Sequence, residues 1–129
     1  GLRSYGGMTY AGLKSMIYAD VDRIDRRVIA AYNWIRRNWN VEKNPGLGLQ
    51  GLYYYYQTMA KALNAYGREI IIDDRGKQHD WRTELTKQLL SEQKADGYWQ
   101  NTNARWMESI PDLVTAYVII TLNQTLEEW

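Results

Sequence analysis

Residues 51–63 read GLYYYYQTMAKAL, with four consecutive tyrosines, Tyr53 to Tyr56. Successive residues of a helix turn by about 100°, so four in a row sweep roughly 300° around the axis. They cannot all face one pocket. The wider segment 50–66, QGLYYYYQTMAKALNAY, carries Lys61 as its single charge and has no polar face. A helix that is apolar all round is buried on all sides. The tyrosines therefore mark an inner helix, and their hydroxyls are expected to find partners in a buried, partly polar setting.

Two further segments share this character: residues 9–19 (TYAGLKSMIYA), with Lys14 as its single charge, and residues 111–125 (PDLVTAYVIITLNQT), uncharged after Asp112. Two others are amphipathic. In residues 23–39, Ile24, Val28, Ala31, Ile35 and Trp39 recur at three- to four-residue spacing, with Arg26, Arg27, Asn33, Arg36 and Arg37 between them. In residues 80–94, Trp81, Leu85 and Leu89 form a stripe, and Glu84, Lys87, Glu92 and Lys94 are expected to face away. Such helices have one wet side. No alternating strand pattern is convincing, and Ile70–Ile71–Ile72 reads as a short tether under a loop.

The order buried, amphipathic, buried, amphipathic, buried predicts an all-α array in which inner helices are shielded by outer ones. Breakers fall between the segments: Asn44–Pro45–Gly46, Gly67, Asp73–Asp74–Arg75–Gly76 and Asp96–Gly97. Ser109 with Asp112 three residues later reads as a capping box opening the last helix. Outer-then-inner pairs occur twice, over 23–66 and 80–125, so residues 1–129 read as one domain of about two and a half helical repeats. The buried helix at 9–19 has no outer partner of its own. The N-terminus reads as cut from something longer, and this helix is expected to be covered by a missing N-terminal part or by self-association.

Composition bounds the function. The 129 residues are 45% hydrophobic and 24% charged, which is ordinary for a globular domain with one core. A net charge of +1, with Arg26–Arg27 and Arg36–Arg37 interleaved among Asp20, Asp22 and Asp25, lacks the concentrated positive excess that nucleic-acid binding needs. No stretch is long and apolar enough to predict a transmembrane segment. The absence of cysteine excludes thiolate chemistry and every thiolate metal site.

The stretch LLSEQKADGYWQ, residues 89–100, places Gln93, Gly97 and Trp99 as Q-x-x-x-G-x-W between an amphipathic and an apolar segment. It resembles the QW repeat of squalene and oxidosqualene cyclases, whose α/α toroid is shared with protein prenyltransferases. Gln at a helix end can bond exposed peptide groups, Gly permits a sharp turn, and Trp covers the connector. Residues 34–48, WIRRNWNVEKNPGLG, resemble a degraded copy with Asn38 near the Gln position, and SYGG (residues 4–7) resembles a third remnant. GGMTYAGLKSM, NPGLGLQGLYYYYQTMAKAL, HDWRTELTKQLLSEQKADGYW and RWMESIPDLVTAY further resemble the C-terminal part of bacterial proteins carrying prenyltransferase and squalene-oxidase repeats.

The chemistry that this resemblance implies transfers only in part. Class II cyclases protonate an alkene from a D-x-D-D motif, whereas Asp20-Val21-Asp22-Arg23 ends in Arg and sits where acids favour a helix start. Prenyltransferases hold zinc with Asp, Cys and His. Without Cys that site is incomplete, so neither a metal nor another cofactor is expected. The lone histidine, His79, stands with Asp73, Asp74 and Asp80, where capping and loop hydrogen bonds are the default use. The mouth of the implied cavity would include Tyr5, Met8, Tyr10, Gln50, Tyr53, Tyr54, Trp106, Glu108 and Asp112. There Tyr10, Tyr53, Tyr54 and Trp106 would bind a hydrophobic, isoprenoid-like substrate by their aromatic faces, and Glu108, with Asp112, is the candidate catalytic acid.

Two readings follow. One is a cyclase-like or prenyltransferase-like protein holding an isoprenoid in a central cavity. The other is a non-catalytic repeat module that recognises protein or glycan at the helix ends. A cavity lined by Tyr10, Tyr53 or Tyr54 would favour the first; a filled centre with an aromatic patch on the rim would favour the second.

Overall fold

A computed structural model describes residues 5–126. Five helices account for most of it: α1 (Gly6–Tyr18), α2 (Arg26–Arg37), α3 (Leu52–Tyr66), α4 (Trp81–Glu92) and α5 (Pro111–Leu126). Two short strands, β1 (Ile70–Ile72) and β2 (Gln78–Asp80), lie between α3 and α4, and a single 3-10 turn spans Arg105–Met107. The sequence-based segments thus coincide with the five helices to within a few residues at each end.

Helix α3 packs against both α1 and α5, so these three form a row with α3 at its middle; α2 packs on α1, and α4 on α5. The central position explains why α3 tolerates no polar face: nine of its fifteen residues are buried, including Tyr53, Tyr55 and Tyr56. The two flanking helices differ from expectation. Tyr10 and Leu13 of α1 and Val114 and Val118 of α5 enter the core, whereas Met8, Tyr18, Ile119 and Leu126 remain exposed. At the ends of a row, an apolar helix has one neighbour in the row and one amphipathic helix beside it, which leaves part of its surface to solvent. Nor is α1 without an amphipathic neighbour, because α2 lies against it.

The amphipathic helices bury the stripes their spacing implies. Val28 and Ile35 of α2 and Trp81, Leu85 and Leu89 of α4 are buried. Asp25 caps α2 by accepting from Arg27 N, and Asp80 caps α4 by accepting from Thr83 N. The Arg23 guanidinium donates to the carbonyls of Ala65 and Tyr66, satisfying the open C-terminal end of α3.

Several local expectations are corrected. Gly6 and Gly7 form the first turn of α1 rather than a connector; a side chain on Gly6 would collide with Tyr55 and Pro45. Ser4 lies outside the described residues. The Asn38 amide bonds the Trp34 carbonyl of its own helix. Helix α5 opens directly on Pro111, where the missing N–H costs nothing. Ile110, not Ser109, precedes it, and the Ser109 carbonyl accepts from the Gln100 amide.

Ile70–Ile72 is a strand rather than a tether, pairing antiparallel with β2 so that Ile71 stands opposite His79, both buried. Asp73 closes the hairpin turn, its carboxylate accepting from Arg75 N and Lys77 N. Three-residue strands are too short to show a period of two, which is why the sequence hides them.

Candidate functional site: an aromatic rim at the start of α3

The connector from Gln93 to Ile110 joins α4 to α5, and each half is fastened differently. In the first half, Gly97 adopts a left-handed φ of 90° and turns the chain. The Trp99 indole N–H donates to the Leu89 carbonyl at 2.8 Å, filling an open acceptor in the last turn of α4. The Gln93 amide donates to the Gly97 carbonyl at 3.0 Å and so braces the turn. Gln93 and Trp99 thus exchange the tasks their spacing suggested: Trp bonds the helix end, and Gln holds the glycine turn.

The second half stands on two feet, Asn101 and Glu108. Asn101 N donates to the Glu108 carbonyl at 2.9 Å, and its side-chain amide donates to Leu49 O at 2.6 Å and to Glu108 Oε1 at 3.1 Å. The Glu108 carboxylate, wholly buried, accepts from Tyr53 N and Tyr54 N, each at 2.9 Å. These are orphan donors in the first turn of α3, where helix geometry leaves N–H groups unpaired and the dipole favours an anion. The residue before this helix, Gly51, offers no capping side chain. Glu108 therefore caps α3 from 55 residues away. It is turned into the protein, not toward a mouth, and Asp112 is exposed on the first turn of α5. The structure does not unite the two acids as a catalytic pair.

Between the feet, Trp106 and Met107 adopt φ of 63° and 62°. Left-handed backbone at non-glycine residues costs on the order of 1–3 kcal/mol each and persists only where surroundings enforce it. Here the enforcement comes from Asn101 and Glu108, with Asn103 N and Arg105 N bonded to Asn101 Oδ1 and Asn103 Oδ1. The Trp106 ring lies on Gly51, where a Cβ would sit 3.1 Å from it, and Gly51 itself has φ of 61°. A side chain there would be strained by the backbone and would press on the ring. Tyr54 meets Trp106 with ring centroids 6.1 Å apart and meets Tyr117 edge-on at the same separation. Trp106 is still 43% exposed and Met107 66%, and Leu49 and Ile110 nearby in the same fastening are also exposed.

Tyr10, Tyr55 and Tyr56 are spent on packing. Tyr10 is buried edge-on against Tyr55. The Tyr55 hydroxyl donates to Asn40 O and that of Tyr56 to Val41 O, so both tie α3 to the connector behind α2. Tyr5 is half-buried just before α1, and Gln50 half-buried before α3. The centre of the described residues is filled by Tyr10, Tyr55, Tyr56, Met59 and Leu63.

One group escaped the sequence reading. Glu92, assigned there to the wet face of α4, is half-buried beside a cleft of about 300 Å³ lined by Leu52, Tyr53, Gln100 and Thr102. Its Oε2 accepts from the Gln88 amide at 3.2 Å and lies 3.1 Å from the Tyr56 hydroxyl, whose single proton it shares with the nearer Val41 carbonyl, while Oε1 is buried without a partner among the described residues. Burial pushes its pKa up, and burial together with this carboxylate raises those of Tyr53 and Tyr56. Glu92 also ends a helix whose last turn holds no basic residue, where the dipole disfavours an anion.

His79 forms a second polar centre. Its Nδ1 lies 2.7 Å from Glu84 Oε2 and its Nε2 2.9 Å from Asp73 Oδ2, and Trp39 donates to the other Glu84 oxygen. The hydrogen bond to His79 holds the Asp73 carboxyl down at about 2. Asp74 and Asp80 are not in this cluster; Asp80 is the cap of α4. Among the described residues no group of three His, Asp or Glu side chains is arranged to hold a metal ion, and no helix is long and apolar enough to cross a membrane.

Compared with family models, curated proteins and solved structures, the chain gives no match.

Proposed function

We propose that this chain is a non-catalytic helical-repeat module that binds a protein partner through the rim around Trp106. The observation that carries this reading is the display of Arg105, Trp106 and Met107 on a strained turn anchored by buried Asn101 and Glu108. Trp and Arg are the side chains most enriched among residues that dominate binding energy, and Met is enriched at interfaces. Backbone strain held by a buried polar frame fits a surface arranged before its partner arrives. Exposed Leu49 and Ile110 extend the apolar area.

The test compares wild type with Trp106→Ala in cross-linking from a photoreactive residue placed at position 107. A cross-linked protein species lost in the variant, with unfolding temperature unchanged, supports the proposal. Equal cross-linking in both, or saturable binding of neutral oligosaccharides at Trp106 without any protein partner, overturns it.

The isoprenoid reading keeps one observation of its own, a groove of about 420 Å³ between α1 and α2 walled by Met8, Leu13, Met16 and Trp34. On that reading the row α1–α3–α5 with α2 and α4 is a part of an α/α toroid of the cyclase and prenyltransferase type. Stoichiometric binding of a C15 or C20 prenyl alcohol, abolished by Leu13→Asp, would favour it over the rim.

A further inference from the structure

At the far end of α3, roughly 20 Å along its axis from the rim, a group of arginines surrounds two stacked tyrosines. Tyr32 of α2 and Tyr66, the last residue of α3, lie face to face with centroids 4.7 Å apart and planes 10° from parallel. Arg23 sits over the Tyr66 ring at 5.2 Å and Arg68 over the Tyr32 ring at 5.7 Å. Arg36 follows Tyr32 by four residues and so shares its side of α2. Its Nε donates to the Ile72 carbonyl at 2.6 Å, and one terminal nitrogen reaches Asn33 Oδ1 at 3.4 Å.

Tyr32, Arg36, Arg68 and Ile72 enclose a pocket of about 250 Å³. Among the described residues neither Arg36 nor Arg68 has a carboxylate within ion-pair distance; the ion pairs are Arg27–Asp25, Arg82–Glu69 and the two at His79. Arg36 is half-buried, and the acceptors its guanidinium meets within hydrogen-bond distance, the Ile72 carbonyl and Asn33 Oδ1, are neutral. The guanidinium of Arg68, the terminal nitrogen of Arg36 left over from these bonds and the Tyr32 phenol line one small pocket, a donor set complementary to an oxyanion.

We propose that this pocket binds a small oxyanion, a phosphate or carboxylate group, between the guanidiniums of Arg36 and Arg68 and the Tyr32 hydroxyl. Burial raises the Tyr32 pKa while Arg68 and Arg36 pull it down, with the net direction upward, so the phenol keeps its proton at neutral pH and can donate. A long polyanion is disfavoured, because Asp73 and Asp74 line the adjoining pocket on the other side of Arg36. The site takes one charged group, not a charged chain.

The experiment titrates the protein separately with inorganic phosphate and with acetate, holding ionic strength constant with sodium chloride. Backbone amide shifts of residues 32–36 and 66–72 are followed by NMR. Saturable shifts with either ion support the site, and the preferred ion tells a phosphate ester from a carboxylate as the natural source. Arg68→Gln, at an exposed position, should weaken binding roughly tenfold, and Tyr32→Phe, which keeps the stacked ring, should weaken it by a smaller factor. Linear shifts equal to those produced by chloride overturn the proposal. So does saturable binding of the same strength in wild type and both variants.

Discussion

Glu108 shows how much one side chain can be asked to hold. Its two oxygens accept two helix N–H groups and one amide, and its carbonyl accepts the Asn101 N–H. Replacing it by Gln keeps the shape but removes the charge and points an NH₂ at a helix donor. Glu108→Gln should therefore cost about 2 kcal/mol, the scale of a charge-assisted bond plus a buried donor left unpaired. Urea unfolding measures this, and a loss below about 0.5 kcal/mol would mean the carboxylate is not the cap. One residue earlier the sign reverses for glycine. Met107→Gly, at φ of 62°, removes left-handed strain and should stabilise by up to about 1 kcal/mol, while loosening the rim enough to weaken partner capture.

At the scale of elements, two carboxyls respond to pH in opposite directions. In the β1–β2 hairpin, Asp73 titrates at about 2 against an ordinary 3.8. A depressed folded value means its contribution is complete above the unfolded value and is lost as pH falls through about 4 toward 2. Amide exchange in residues 70–80 should accelerate over that window before α3 is affected, and Asp73→Asn should abolish the pH dependence. Glu92 behaves conversely. Its pKa is raised from 4.5 by burial, so ionising it opposes folding, and the penalty grows as pH rises past the unfolded value. Glu92→Gln should raise the unfolding temperature at pH 7 and change it little at pH 4. An equal gain at both pH values would show that charge is not the cause.

Among the described residues, the row of helices is only partly covered at its two ends. Met8 and Tyr18 on α1 and Ile119 and Leu126 on α5 offer apolar surface that further helices would cover. The isolated chain should self-associate through these faces, with Met8→Lys and Ile119→Lys together returning it to a monomer in sedimentation velocity. A wild-type monomer at high concentration would refute this.

What was legible beforehand follows from range. Helix positions depend on local periodicity, and the missing polar face marks α3 as buried; α1 and α5 share that pattern, so it does not by itself tell the middle of the row from its ends. The β1–β2 hairpin was hidden because three residues cannot show a period. The capping role of Glu108 is hidden because its partners lie 55 and 54 residues away. Yet Gly51 before α3 is a helix start with no capping side chain, and that gap signals an outside acceptor. Glu92 stands eleven residues after Trp81, about 20° from it around the helix axis, so its spacing already sets it beside the buried stripe; its charge, not its position, suggests the wet face.

The closed feet of the rim turn have a consequence for how this protein can change. Residues 102–107 leave and rejoin the scaffold at Asn101 and Glu108, whose backbones are bonded to each other at 2.9 Å. Whatever spans that gap can vary in length and sequence while the anchor stays intact. The segment is an interchangeable cartridge: grafting a different six-residue loop there should alter what is recognised and leave the helices in place, whereas the same exchange across Gln93–Trp99 should unseat α4.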